Sequence, residues 1–193
     1  MVTAVTLVLL AIATRLLSQT YALWNFVPAA AIALYAGARL PRRWAWGVPL
    51  VAMMLSDLVL DYGRHRPFFE LTRWTVYLTL AATTWLGLIA RRPKTPLWLL
   101  PVLSLGASTL FFVTTNLATW AEGQIYPLTT AGLVNCFYLA LPFFQNTVFA
   151  DLLGTALLFG LGPVFERAAG RLSRAWSGQS DLALDAAETR AGA

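Results

Sequence analysis

The chain has 193 residues, 58% of them hydrophobic and only 12% charged, with a mean hydropathy of +0.63. That is too apolar for a soluble core of this size to hide, so an integral membrane protein is expected. One cysteine excludes an internal disulfide framework and a multi-cysteine metal site, and the net charge of +5 needs no nucleic acid because basic loops meeting anionic lipid account for it.

About 20 apolar residues cross the hydrocarbon layer as a helix. By that measure six spans are predicted, near 2–18, 24–40, 44–60, 75–90, 97–117 and 139–163. All should be α-helices, since lipid cannot satisfy an open backbone and the alternating ten-residue segments of a barrel are missing. They form one membrane domain, 1–176, followed by a tail, 177–193, rich in Ala, Asp and Glu and expected to be disordered. The first span starts at Met1 without a basic flank and contains Arg15, so it reads as a retained helix and not a cleaved signal.

Span two opens with Trp24-Asn25-Phe26-Val27-Pro28, where Asn25 is either a helix cap or a ligand contact. Its Ala29, Ala33 and Gly37 repeat every fourth residue, a small-residue face for a close crossing within the bundle or for docking a partner. Asp57 lies about one turn from the outer end of span three, placed to pair with Arg15 or Arg73 and compatible with a pocket wall. The 61–73 connection holds Asp61, Arg64, His65, Arg66, Glu70 and Arg73. Near the end of span five, Thr114 and Thr115 precede Asn116, and their hydroxyls can bond back to the helix. The stretch 118–145, with Tyr126, Pro127, Asn135, Cys136, Tyr138, Pro142 and Phe143, is predicted to be a long external loop with a short helix that caps a site. In span six, Thr147, Asp151, Gly154 and Thr155 share one face, a packing seam by spacing. A carboxyl as deep as Asp151 also requires a donor, a proton or a coupled ion.

Arginines and lysines orient the spans. Arg39, Arg42 and Arg43, then Arg91, Arg92 and Lys94, then Arg167, Arg171 and Arg174 fall in alternate connections, which puts them and both termini in the cytoplasm. The 61–73 connection is an exception whose basic residues are offset by carboxylates. Asp57, Asn116, Asn146 and Asp151 then gather in the outer half, the pattern of a binding site open to the outside.

Several strings carry a resemblance: Trp24-Asn25-Phe26-Val27-Pro28-Ala29-Ala30-Ala31-Ile32-Ala33-Leu34, Leu55-Ser56-Asp57, Leu141-Pro142-Phe143-Phe144-Gln145-Asn146-Thr147 and the run from Asp151 to Gly160. Across about residues 20–162 the chain resembles small bacterial membrane proteins that include the solitary vitamin B12 transporters of the BtuM type, similar in fold to the S components of energy-coupling-factor (ECF) transporters. The resemblance implies a multi-pass protein of the bacterial cytoplasmic (inner) membrane that holds cobalamin or a related corrinoid near its outer surface and moves it inward. Cobalamin would be the cargo, with no intrinsic cofactor. The bundle would act alone or with an ECF energising module docked on small-residue faces such as Ala29, Ala33 and Gly37. The implied pocket draws on Asn25, Asp57, Arg73, Tyr77, Leu80, Thr84, Asn116, Tyr126, Phe143, Asn146 and Asp151, with Tyr77, Leu80 and Thr84 as one wall.

In B12 transporters of this type a cysteine near the start of span four ligates cobalt, and Thr75-Val76-Tyr77-Leu78-Thr79-Leu80-Ala81 contains none. That tells against cysteine-dependent removal of the cyano ligand and leaves Cys136 and His65 as the candidate cobalt ligands. Two alternatives stay open: a carrier for another small vitamin or metabolite, proton-coupled through Asp151, and an intramembrane enzyme, for which one His and one Cys form a thin constellation. No phosphate-binding glycine loop occurs, so ATP hydrolysis by this chain is not expected.

Overall fold

The computed structural model describes residues 2–21, 25–62, 70–91 and 95–191, with side chains through 162 and at Val164 and Arg167. Among them the chain is all-α: α1 (Val2–Thr20), α2 (Ala29–Arg39), α3 (Arg42–Asp61), α4 (Leu71–Ile89), α5 (Leu99–Ala121) and α6 (Thr130–Ala191). Among the described residues four helical stretches are long and apolar enough to cross a membrane: Val2–Thr20, Arg42–Asp61, Leu99–Ala121 and Thr130–Gly162. Large apolar side chains such as Leu9, Leu58, Leu78, Trp85 and Phe149 point outward, as helices compatible with a lipid environment require.

The bundle is organised around α2, whose residues Ala30–Ala38 are all buried. It packs chiefly on α4 and also touches α1, α3, α5 and α6, while α1 packs mainly on α3 and α6 on α5. Ala4, Leu7, Ile32, Tyr35, Ala36, Leu40, Ala45 and Val48 form an apolar cluster at the end of the bundle where α2 finishes and α3 begins. Tyr35 closes it with its ring edge-on to Phe159, centroids 5.1 Å apart.

At 11 residues α2 spans only about 16 Å, half the hydrocarbon thickness. The expected span 24–40 is corrected accordingly: the residue before a proline is driven to extended geometry, so Val27 cannot join the helix and Pro28 becomes the cap position. Asn25 is therefore not the cap; it sits in a turn with φ 59°.

A second correction concerns 118–145. Gly123, at φ 66°, ends α5 in the left-handed conformation, and the Gly132 amide donates to Thr129 Oγ1 at 3.1 Å as α6 begins. The connection is thus only 122–129, and Asn135, Cys136, Pro142 and Phe143 all lie within one continuous helix. Proline inside a membrane helix is tolerated where neighbouring groups compensate for the lost bond. Helix α6 also runs on to Ala191, so 177–191 are helical in place of the disorder expected from their composition; Ala, Leu, Glu and Arg favour helix there locally.

The third correction is the docking face. Ala33 and Gly37 are fully buried, and Gly37 meets Thr84 and Gly87 of α4 at backbone contact, so the small residues make the α2–α4 crossing and present nothing to a partner.

Candidate functional site

Both ends of α2 are held by charged side chains from other helices. Its first orphan amides are accounted for in turn: Ala29 N–H donates to the Val27 carbonyl at 2.8 Å, Ala31 N–H to Asp151 Oδ1 at 3.1 Å, and Ile32 N–H to the Pro28 carbonyl at 3.0 Å. Ser108 Oγ donates to the other oxygen of Asp151 at 2.8 Å, and Thr155 Oγ1 donates to Ser104 Oγ at 3.1 Å one turn further in. At the opposite end Arg91 Nε and Nη2 donate to the Gly37 carbonyl at 3.1 and 2.8 Å, and Nη2 reaches the Leu40 carbonyl as well. A carboxyl at the N-terminus and a guanidinium at the C-terminus oppose the ends of the helix dipole, so a short alanine-rich helix is stabilised where it starts inside the bundle. Glu122 does the same for α4, accepting the Thr72 amide at 2.8 Å.

Next to the start of α2 is a cavity of ≈ 180 Å³ between α1 and α6, lined by Arg15, Ser18, Gln19, Asn25, Val76, Thr147 and Asp151 among others. Asn25, Val76, Phe111 and Thr147 also line a second, adjoining cavity of ≈ 390 Å³ between α4, α5 and α6. The second is aromatic and hydroxylated, with Phe111, Phe112, Tyr126, Phe143 and Phe144 facing Thr72, Thr115, Asn116 and Thr119. Phe112 stacks obliquely on Phe144 at 4.5 Å and edge-on to Phe137 at 5.5 Å, which stiffens that wall. These two adjoining cavities make up a two-part cleft at the end of the bundle that carries the α1–α2, α3–α4 and α5–α6 connections.

Of the predicted site residues, Asn25, Asn116, Tyr126, Phe143 and Asp151 line the cleft, and Ala29 borders its smaller half. Others are placed elsewhere. Asp57 pairs with Arg15 at 2.5 Å and receives the Tyr77 hydroxyl at 2.6 Å. Arg73 lies 3.9 Å from Asp57 and pairs with Asp61. This ion network ties α1 to α3 and α4 and borders a separate groove of ≈ 220 Å³ with Asp61, Tyr62 and Tyr77. Leu80 is buried against a small apolar pocket beneath Arg15, and Thr84 is fully buried in the α2–α4 crossing, so neither forms a wall with Tyr77. Asn146 is exposed, one residue before Thr147 turns inward. Helical register accounts for each of these: one residue rotates a side chain by about 100°.

Cys136 borders the aromatic cavity but is buried, its thiol donating toward the Asn116 carbonyl at 3.4 Å. His65 lies outside the described residues. Among the described residues no three His, Cys, Asp or Glu side chains converge as a metal site. With the sulfur 1% exposed as a residue, native protein in micelles should react with a bulky maleimide roughly tenfold more slowly than SDS-unfolded protein; equal rates would mean the α5–α6 wall is open.

Sequence reading missed Arg15, Ser18, Gln19, Ser108 and the phenylalanines of α5 as site residues. A signal existed for the last: Phe111 and Phe112 precede Thr115 and Asn116 by four residues and share their faces. The model of a family of unknown function, DUF6580, matches residues 1–172. No curated protein and no solved structure gives a significant match.

Proposed function

We propose that this chain, which belongs to the DUF6580 family, is a bacterial inner-membrane carrier that binds a small ring-bearing solute from the extracytoplasmic side and delivers it inward. The observation that carries the reading is the two-part cleft, polar and hydroxylated at α2, aromatic at α5 and α6. Few precisely placed polar groups set in an apolar, aromatic wall are the usual anatomy of a small-molecule pocket. Arg39, Arg42, Arg43 and Arg91 lie at the other end of the bundle, so the positive-inside rule points the cleft outward and both termini to the cytoplasm. In this arrangement α4 and the 25–39 segment complete six crossings with the four long apolar helices, in an S-component-like bundle.

Within this function two cargoes have separate support. The sequence strings favour cobalamin or a related corrinoid. Cavities of ≈ 390 and ≈ 180 Å³ favour a smaller vitamin or metabolite, and a corrin ring would enter only if the lining moved outward. An energising module, if used, would dock on a face other than the buried Ala33–Gly37 stripe.

The test is purification in mild detergent from cells given cobalamin, with a visible spectrum and mass spectrometry of the extracted solute. A corrinoid spectrum supports the B12 cargo, and a colourless preparation that binds no added cobalamin removes it. A different retained organic solute supports the smaller cargo. Phe143→Ala and Asn116→Ala should each weaken retention roughly tenfold, through a lost stacking face and a lost amide. Unchanged retention in both variants would move the site elsewhere, and no retained or bound solute at all would sink the carrier reading.

A further inference from the structure

We infer that the cleft selects an uncharged solute, a neutral heteroaromatic bearing amide or hydroxyl groups, over its carboxylate and quaternary-ammonium counterparts. This deepens the carrier reading and rests on it. The larger cavity has no charged side chain among its described lining residues; its polar groups are hydroxyls, one thiol and the amides of Asn25 and Asn116. The smaller cavity has two ionisable groups, Arg15 and Asp151, and each is engaged inside the protein.

Arg15 reaches Asp57 at 2.5 Å and donates to Ser56 Oγ at 2.7 Å. Asp151, 1% exposed, accepts the Ala31 amide and the Ser108 hydroxyl. Among the described residues no fully buried side-chain nitrogen or oxygen lacks a hydrogen-bond partner. An anion bound at Arg15 would share the guanidinium with Asp57, and a cation at Asp151 would have to compete with the start of α2. Removing one member of a desolvated pair leaves the other uncompensated. A neutral ring meets no such penalty: it stacks on the phenylalanines and exchanges water hydrogen bonds for those of Asn and Thr.

The experiment uses three probes with one bicyclic skeleton: quinoline-3-carboxamide, quinoline-3-carboxylate and N-methylquinolinium-3-carboxamide, titrated into the full-length protein in micelles. The carboxamide should bind at least roughly tenfold more tightly than either charged form. Asp57→Asn, which lies outside the cleft and releases Arg15, should raise carboxylate affinity roughly tenfold while the carboxamide affinity, the control for folding, holds. Equal or tighter binding of the carboxylate or the quinolinium by the unaltered protein would overturn the inference, as would no gain for the carboxylate in a folded Asp57→Asn. If none of the three binds but the preparation retains a solute of its own, that solute's charge decides: neutral supports, charged overturns. No binding of any probe and no retained solute would instead remove the carrier reading itself.

Discussion

Asp151→Ala is expected to destabilise the bundle by roughly 3–5 kcal/mol, read as a lower midpoint of SDS unfolding in mixed micelles. The size follows from what the carboxyl does. It accepts the Ala31 amide at 3.1 Å and the Ser108 hydroxyl at 2.8 Å, in a place where Asp151 is 1% exposed and water cannot substitute. Without it the first turn of α2 keeps unsatisfied amides inside the bundle. Asp151→Asn keeps one acceptor and gains a donor that can serve Ser108, so its loss should be smaller, roughly 1–2 kcal/mol, mainly from the forfeited interaction with the helix dipole. Arg91→Ala, at the other end of the same helix, should lose about 1 kcal/mol, because Arg91 itself is exposed and its hydrogen bonds compete with water. The order Ala, then Asn, then the arginine variant separates a helix-capping role from a proton relay. An Asp151→Asn protein as stable as the parent but dead in uptake would assign the carboxyl to proton movement.

Which parts of this arrangement were legible beforehand follows from the range of the forces involved. Helices α1, α3 and α5 come within about four residues of their predicted spans, since apolar length is a property of the local string. The Arg15–Asp57 pair was also accessible, because an intramembrane carboxylate demands a partner and cations in reach were few. Asp151 was marked as requiring a donor, but that the donor is the backbone of α2 depends on a contact 120 residues away in the chain. The long apparent loop before span six misled because Asn135, Cys136 and Pro142 look like breaks in a string, whereas Gly123 and Thr129 were the local signals for where helices stop and start. Small-residue periodicity in α2 correctly marked a close crossing yet could not name the surface it meets. The cleft was half legible for the same reason: Asn116, Phe143 and Asp151 face it, while Asn146, Leu80 and Thr84 needed a helical register that composition does not supply.

The α2–α4 crossing carries the other large effect. An added methyl at Gly37 would run into the Thr84 carbonyl and sit 3.0 Å from Gly87 Cα, and one at Gly87 would meet the Leu34 carbonyl and sit 3.0 Å from Gly37 Cα. Neither obstacle can swing aside, since both are helix backbone. Gly37→Ala and Gly87→Ala should therefore each destabilise by roughly 2–4 kcal/mol despite alanine's better helix propensity, and Gly37→Leu should prevent assembly of the bundle. Gly47→Ala and Gly106→Ala are the matched comparison: a methyl at either finds nothing within 4 Å, so each should be neutral or stabilising by up to about 1 kcal/mol. The double variant Gly37→Ala with Gly87→Ala should lose less than the two singles added together, because the first methyl already forces the helices apart. Full additivity, or Gly37→Ala behaving like Gly106→Ala in SDS unfolding, would mean that α2 and α4 do not approach through these glycines, and the buried central position of α2 would fall with it.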